Sequence, residues 1–206
     1  MGPRRLGLAL WLSLAGCIPF PFATPPVQLE VGPEVRRVQR AVEPPLEVPL
    51  QLRLSVTPLS FRPEHLDRPL DFGAGFCLDA GRAPSRGGYL ELSAIPLSRP
   101  LEGGLVRLLL RAQGRLLYDP VGERFGQGAA VQVVGELATF ADGPFNTESD
   151  TGGYVGAAYG EGAVGIYFEG AYGQYADRRD WTAGGGLQLR VPASVGVGYV
   201  WVWALR

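Results

Sequence analysis

The run Leu70–Asp79, LDFGAGFCLD, alternates without a break: Leu70, Phe72, Ala74, Phe76 and Leu78 fall on one side, and Asp71, Gly73, Gly75, Cys77 and Asp79 on the other. A period of two places successive side chains on opposite faces of a strand, whereas a helix would scatter these apolar residues around its axis. The segment therefore predicts a two-faced β-strand.

The same pattern extends in both directions. Leu50, Leu52, Leu54 and Val56 alternate with Gln51, Arg53 and Ser55, and comparable stretches occupy 88–97, 104–118, 127–141, 152–160, 162–174, 183–191 and 193–204. In 104–118, Arg107, Arg111 and Arg115 would also share a helical face. Gly103, Gly104 and Gly114 favour a strand there.

Consecutive strands with no helix long enough for crossovers predict an all-β antiparallel meander. Such a sheet must protect its edges. The expected solution is closure into a small barrel of about eight strands, with a two-sheet sandwich as the alternative. Glycines at 73, 75, 165, 173, 184, 186, 196 and 198 suit strongly curved strands.

Composition agrees. The chain has 206 residues, 46% hydrophobic and 19% charged, with 30 Gly and 18 Pro. Gly and Pro at that level disfavour long helices. All the basic residues are Arg, and they do not cluster. Past residue 17 they number 17 against 20 acids, so nucleic acid is not an expected partner.

The amino terminus reads as a secretory leader: Arg4 and Arg5, an apolar run from Leu6 to Leu14, then Leu14-Ala15-Gly16-Cys17. The apolar run is too short for a permanent helical span, which needs about 20 residues. Leu14-Ala15-Gly16-Cys17 resembles the lipobox of bacterial lipoproteins. That resemblance implies cleavage before Cys17, acylation of its sulfur and amino end, and, with Ile18 next, delivery to the outer membrane. Membrane contact would then run through the lipid, with other envelope proteins as further partners. The expected divisions are a signal peptide at 1–16, a lipidated Cys17 and Pro-rich tether at 17–45, and the β-barrel at 46–206. Lipidation of Cys17 would leave Cys77 alone, a small buried thiol with no disulfide partner.

The strand pattern resembles small outer-membrane barrels, with apolar residues outward and polar ones in a lumen. Asp71, Glu91, Arg107, Arg111, Glu136, Glu169 and Arg190 share the polar faces and could pair there. The opposite orientation is a barrel with an apolar interior, held at the membrane by its lipid.

Catalytic chemistry is not expected. His65 is the single histidine, so no His-based metal cluster or His acid–base pair can form. Gly160-Glu161-Gly162-Ala163-Val164-Gly165 has dinucleotide-fingerprint spacing, but a strand pattern follows it where the motif needs a helix. Asp142, Asn146, Glu148 and Asp150 read as an acidic loop. No metal or cofactor is expected. Arg178, Arg179 and Trp181 fall in an expected loop, 174–182, and are the candidate partner-binding residues, since Trp and Arg are enriched at binding hot spots. The expected function is a lipid-anchored envelope barrel with a structural or partner-binding role, working through loops 142–151 and 174–182. The alternative is a membrane-embedded barrel serving as a small pore or assembly component.

Overall fold

Alternating residues form strands throughout the computed structural model, which describes residues 17–39, 46–57, 70–81, 84–149 and 152–201. The strands are β1 (Cys17–Thr24), β2 (Val27–Gln39), β3 (Leu46–Glu47), β4 (Leu50–Val56), β5 (Leu70–Ala80), β6 (Ser85–Leu101), β7 (Gly104–Asp119), β8 (Arg124–Ser149), β9 (Gly152–Tyr175), β10 (Arg179–Val191) and β11 (Ala193–Trp201). They make one antiparallel sheet in the order β1-β11-β9-β10-β2-β4-β5-β6-β7-β8, with β3 beside β2 and β8 also paired to β9.

This corrects the expected meander of about eight consecutive strands closing into a small barrel. The sheet has eleven strands, and their order is not sequential: β2 lies against β10, and β1 against β11. The pivot is β9, which has three neighbours. It pairs with β8 from Gly152 to Tyr175, with β11 over Gly152–Tyr159 and with β10 over Ala163–Gln174. Between the last two stretches stands Gly160 at φ 108°, a backbone conformation open to glycine and strained for other residues. The stretches 152–160 and 162–174, read as separate strands, are therefore one strand, and Gly160 marks the point within β9 where its neighbour changes.

Register partners run from Trp181 through Tyr172, Ala129, Gly114, Leu90, Ala74, Val56 and Val27 to Val191, ten residues further along β10. One face of the curled sheet is thereby enclosed. Residues 18–39, expected as tether, supply β1 and β2, and β2 lies between β10 and β4. Pro density hid the alternation of Gln28, Glu30, Glu34 and Arg36 with Leu29, Val31 and Val35.

The two expected long loops are short connections. Strands β8 and β9 run to Ser149 and from Gly152, and only 176–178 separates β9 from β10. Residues 104–118 are strand, within β7. The connection from β7 to β8 is held by Asp119, whose Oδ1 accepts the backbone N–H groups of Val121 at 2.9 Å and Gly122 at 3.1 Å.

Candidate functional site: the enclosed polar face

Which face is enclosed follows from the alternation, and the result is inverted relative to a water-soluble protein. On β7, Arg107, Leu109, Arg111, Gln113, Arg115 and Leu117 are buried, while Leu110 is 44% and Leu116 75% exposed. On β4, Gln51, Arg53 and Ser55 are buried between the exposed Leu50, Leu52 and Leu54. Charged groups are rarely buried unless paired, because leaving water costs several kcal/mol per ion even after relaxation.

Pairing is correspondingly dense. Arg107 lies on Glu136 and Glu161: its Nε and Nη2 donate to Glu136 Oε1 at 2.9 and 2.5 Å, and Nη1 and Nη2 to the two oxygens of Glu161 at 2.6 Å each. Arg190 Nη1 donates to Glu161 Oε2 at 2.6 Å, and Gln188 Nε2 to Glu136 Oε2 at 2.8 Å.

A second cluster is built on Glu30. It accepts from Arg111 Nη1 at 2.6 Å, Arg53 Nη1 at 2.8 Å, Gln28 Nε2 at 2.9 Å and Gln132 Nε2 at 3.0 Å. Glu169 closes it, meeting Arg53 at 2.5 Å and Arg115 at 2.7 Å. Five strands thus contribute to one set of contacts: β2, β4, β7, β8 and β9.

Towards the β7–β8 connection, Arg36 binds Asp79 at 2.6 Å, and Arg178 bridges Asp119 at 2.8 Å and Asp180 at 2.9 Å. The Arg178 guanidinium also lies 4.2 Å from the centre of the Tyr175 ring, a cation–π contact.

Acids outnumber bases inside. Among the described residues, seven arginines and ten Asp or Glu are buried, so the enclosed charges do not balance one to one. The imbalance divides their proton affinities. Burial would raise Glu30, Glu136 and Glu161, but facing arginines outweigh it and hold all three below the usual carboxylate range. Glu34, Glu91 and Asp180 are raised, chiefly because burial disfavours their charged forms. Glu91 is the least compensated: it accepts from Gln113 at 3.2 Å through Oε2, while its buried Oε1 has no partner. The Cys77 thiol is buried, donates to the Gly87 carbonyl at 3.5 Å and is pushed up by burial to about 11.

The polar residues read from sequence fall together: Glu91, Arg107, Arg111, Glu136, Glu169 and Arg190 are buried and Asp71 is half-buried. Sequence reading missed Glu30, Arg53, Arg115 and Glu161. For Glu30 and Arg53 the signal was a charged residue between two apolar neighbours, as in Leu52-Arg53-Leu54. Glu161, expected inside a fingerprint-like run, is an ion-pair partner within β9 instead.

The candidate partner-binding residues do not share a surface. Arg178 points into the enclosed side at 2% exposure, while Arg179 and Trp181 lie on the outer face of β10. Trp181 is 57% exposed and tilted against Tyr172, with ring centres 4.7 Å apart. Asp142, Asn146 and Glu148 are exposed on β8, and Asp150 lies outside the described residues. So do His65 and the leader residues 1–16, and of Cys17 only the strand position is described. Among the described residues, no group of three or more His, Cys, Asp and Glu is placed to hold a metal ion.

These placements correct the expected function. The loops meant to bind partners are strands and a three-residue link, and the polar groups meant to line a pore close on one another as ion pairs. The outer-membrane placement followed from a small consecutive barrel on a lipid anchor, and it falls with the eleven-stranded, non-sequential sheet. Among the described residues no helix is long and apolar enough to cross a membrane. No protein-family model, no curated protein and no solved structure matches this chain.

Proposed function

We propose that the protein is a non-catalytic, lipid-contacting structural module, whose partner is the acyl-chain phase of a membrane met by the outer face of the sheet. One observation carries this reading: each of the strands β4 to β10 exposes large apolar residues on the outer face of the curled sheet. Leu52, Phe76, Leu92, Leu110, Val133, Phe168 and Leu187 are each 40–65% exposed, and their inward neighbours are mostly arginines, acids, glutamines or small residues, with Leu109, Val134 and Tyr167 forming one apolar cluster among them. Scattered exposed leucines are ordinary on soluble proteins, but contiguous apolar areas beyond a few hundred Å² mark contact surfaces. Here the apolar area continues from strand to strand, while most of the charged groups on these strands are turned inward.

The ion pairs fit a structural role. Most of them join side chains from different strands, so they tie the sheet together across its enclosed space.

The test uses the Leu110→Trp variant in vesicles whose phosphatidylcholine chains carry bromine. Emission from position 110 should be quenched beyond that of the parent protein, and the protein should stay monodisperse only with detergent or lipid. A monodisperse protein in plain buffer with no added quenching would overturn the proposal.

A further inference from the structure

The outer face carries a groove of ≈ 750 Å³ across β6, β7, β8 and β9, floored by Gly88, Gly114 and Ala129 and walled by Leu90, Leu116 and Tyr172. That lies within the roughly 300–1,000 Å³ typical of small-molecule sites. The floor follows from sequence and register. Leu90, Gly114, Ala129 and Tyr172 are successive partners across the four strands, so two adjacent positions in that row lack a long side chain. A Cβ at Gly114 would meet nothing within 4 Å, which confirms open space above it.

The groove has one polar end. Gln127 and Gln174 line it there, and the Tyr172 hydroxyl lies 3.3 Å from Gln174 Oε1. In the next outward-facing row on β6 and β7, Arg86 is the partner of Tyr118, and its guanidinium lies 5.3 Å from that ring's centre. Two residues along a strand span about 7 Å, so Arg86 stands one row beyond Gly88. It is exposed, and among the described residues it has no carboxylate partner. A guanidinium held by stacking still offers N–H groups at its edge, in the fork geometry that suits phosphate.

We propose that this groove is a binding site for one anionic phospholipid, with an acyl chain lying over Gly114 and the phosphate held at Arg86. The proposal rests on the reading that the outer face meets acyl chains, and it goes further by naming a site and a headgroup charge. Charge complementarity selects the occupant: an apolar trough that ends at an unpaired cation suits a molecule with an apolar tail and an anionic head.

The test is native mass spectrometry of the full chain in micelles supplied with phosphatidylglycerol or with phosphatidylcholine of the same chains. One phosphatidylglycerol should be retained at least tenfold better. Gly114→Leu should reduce retention about tenfold by filling the trough, and Arg86→Gln should abolish the preference between the two lipids. Gly170→Leu is the control, because Gly170 also has open space above it but lies outside the groove. Equal retention of the two lipids, or a Gly114→Leu protein that behaves like Gly170→Leu, would overturn the proposal. Quenching at position 110 separates the two readings: if it persists while the preference is absent, only the groove assignment falls.

Discussion

Arg107 and Glu136 are register partners on β7 and β8 and ion-pair partners as well, with Nη2 2.5 Å from Oε1. Sheet geometry brings directly opposed residues close, so the register itself sets up this contact. The other side of the guanidinium is taken by Glu161 from β9. Replacing Arg107 by Met should therefore cost about 3–5 kcal/mol, since two buried carboxylates would be left to share one arginine, Arg190. Adding only Glu136→Gln to Arg107→Met should recover much of that loss, because Glu161 then keeps Arg190 as its counter-charge at 2.6 Å. Urea unfolding in micelles measures both, and a loss under 1 kcal/mol would show that the pair is dispensable.

Glu91 should behave in the opposite sense. Its proton affinity is raised mainly by burial, so its charge opposes folding above the folded-state pKa, and that cost fades as pH falls through it. Glu91→Gln keeps an oxygen for Gln113 and removes the charge. The variant should be more stable than the parent at pH 8 by about 1–3 kcal/mol, the cost of a buried polar group left unmatched. The gap should close in acid. Glu30, Glu136 and Glu161 work the other way: arginines overcome burial to lower them, so their contribution is present above the unfolded carboxylate pKa and is lost as pH falls through their folded values. Parent stability should thus fall steeply at low pH while that of Glu91→Gln falls from a higher start. Unfolding midpoints across pH 3–8 check both signs.

Strand content was legible because period-two alternation survives any tertiary arrangement. Leu50–Val56, Leu70–Asp79 and 104–118 are strands for the reason read from them. Strand order was not legible, since pairing of β2 with β10 joins residues at least 140 positions apart and leaves no local mark. Nor was the fate of 18–39, where prolines outweighed the alternation around Glu30. The polar face was half legible. Arg107 and Glu136 could be assigned to one side, but their partnership depends on register, which sequence alone does not supply.

The outer face makes a sharp prediction at Leu110, 44% exposed between its register partners Val133 and Ala94. Leu110→Arg on a water-facing surface would change stability by no more than about 0.5 kcal/mol. Against acyl chains the same change should cost roughly 2–4 kcal/mol. Unfolding from vesicles distinguishes the outcomes, and a neutral Leu110→Arg would place that face in water.

The seam between β2 and β10 supplies the last test. Register partners run from Arg179↔Gln39 to Gly184↔Glu34 and resume at Leu187↔Val31, with an interruption where Gly185 and Gly186 pass Gly32 and Pro33. Pro33 lacks an N–H to donate, and the backbones crowd there. A Cβ on Gly186 would come within 2.1 Å of the Val31 carbonyl oxygen, and one on Gly32 within 2.2 Å of the Gly185 oxygen. Backbone atoms cannot swing aside as a side chain can, so Gly186→Val should part the strands and cost at least the 1–3 kcal/mol typical of overpacking. Because β2 joins β10 to β4, the loss should spread beyond the mutated residue. Amide exchange should quicken along Leu29–Val35 and Gly184–Leu189, while β7 and β8 stay protected. Uniform protection in Gly186→Val would mean that the seam tolerates a side chain and that the glycine run has another cause.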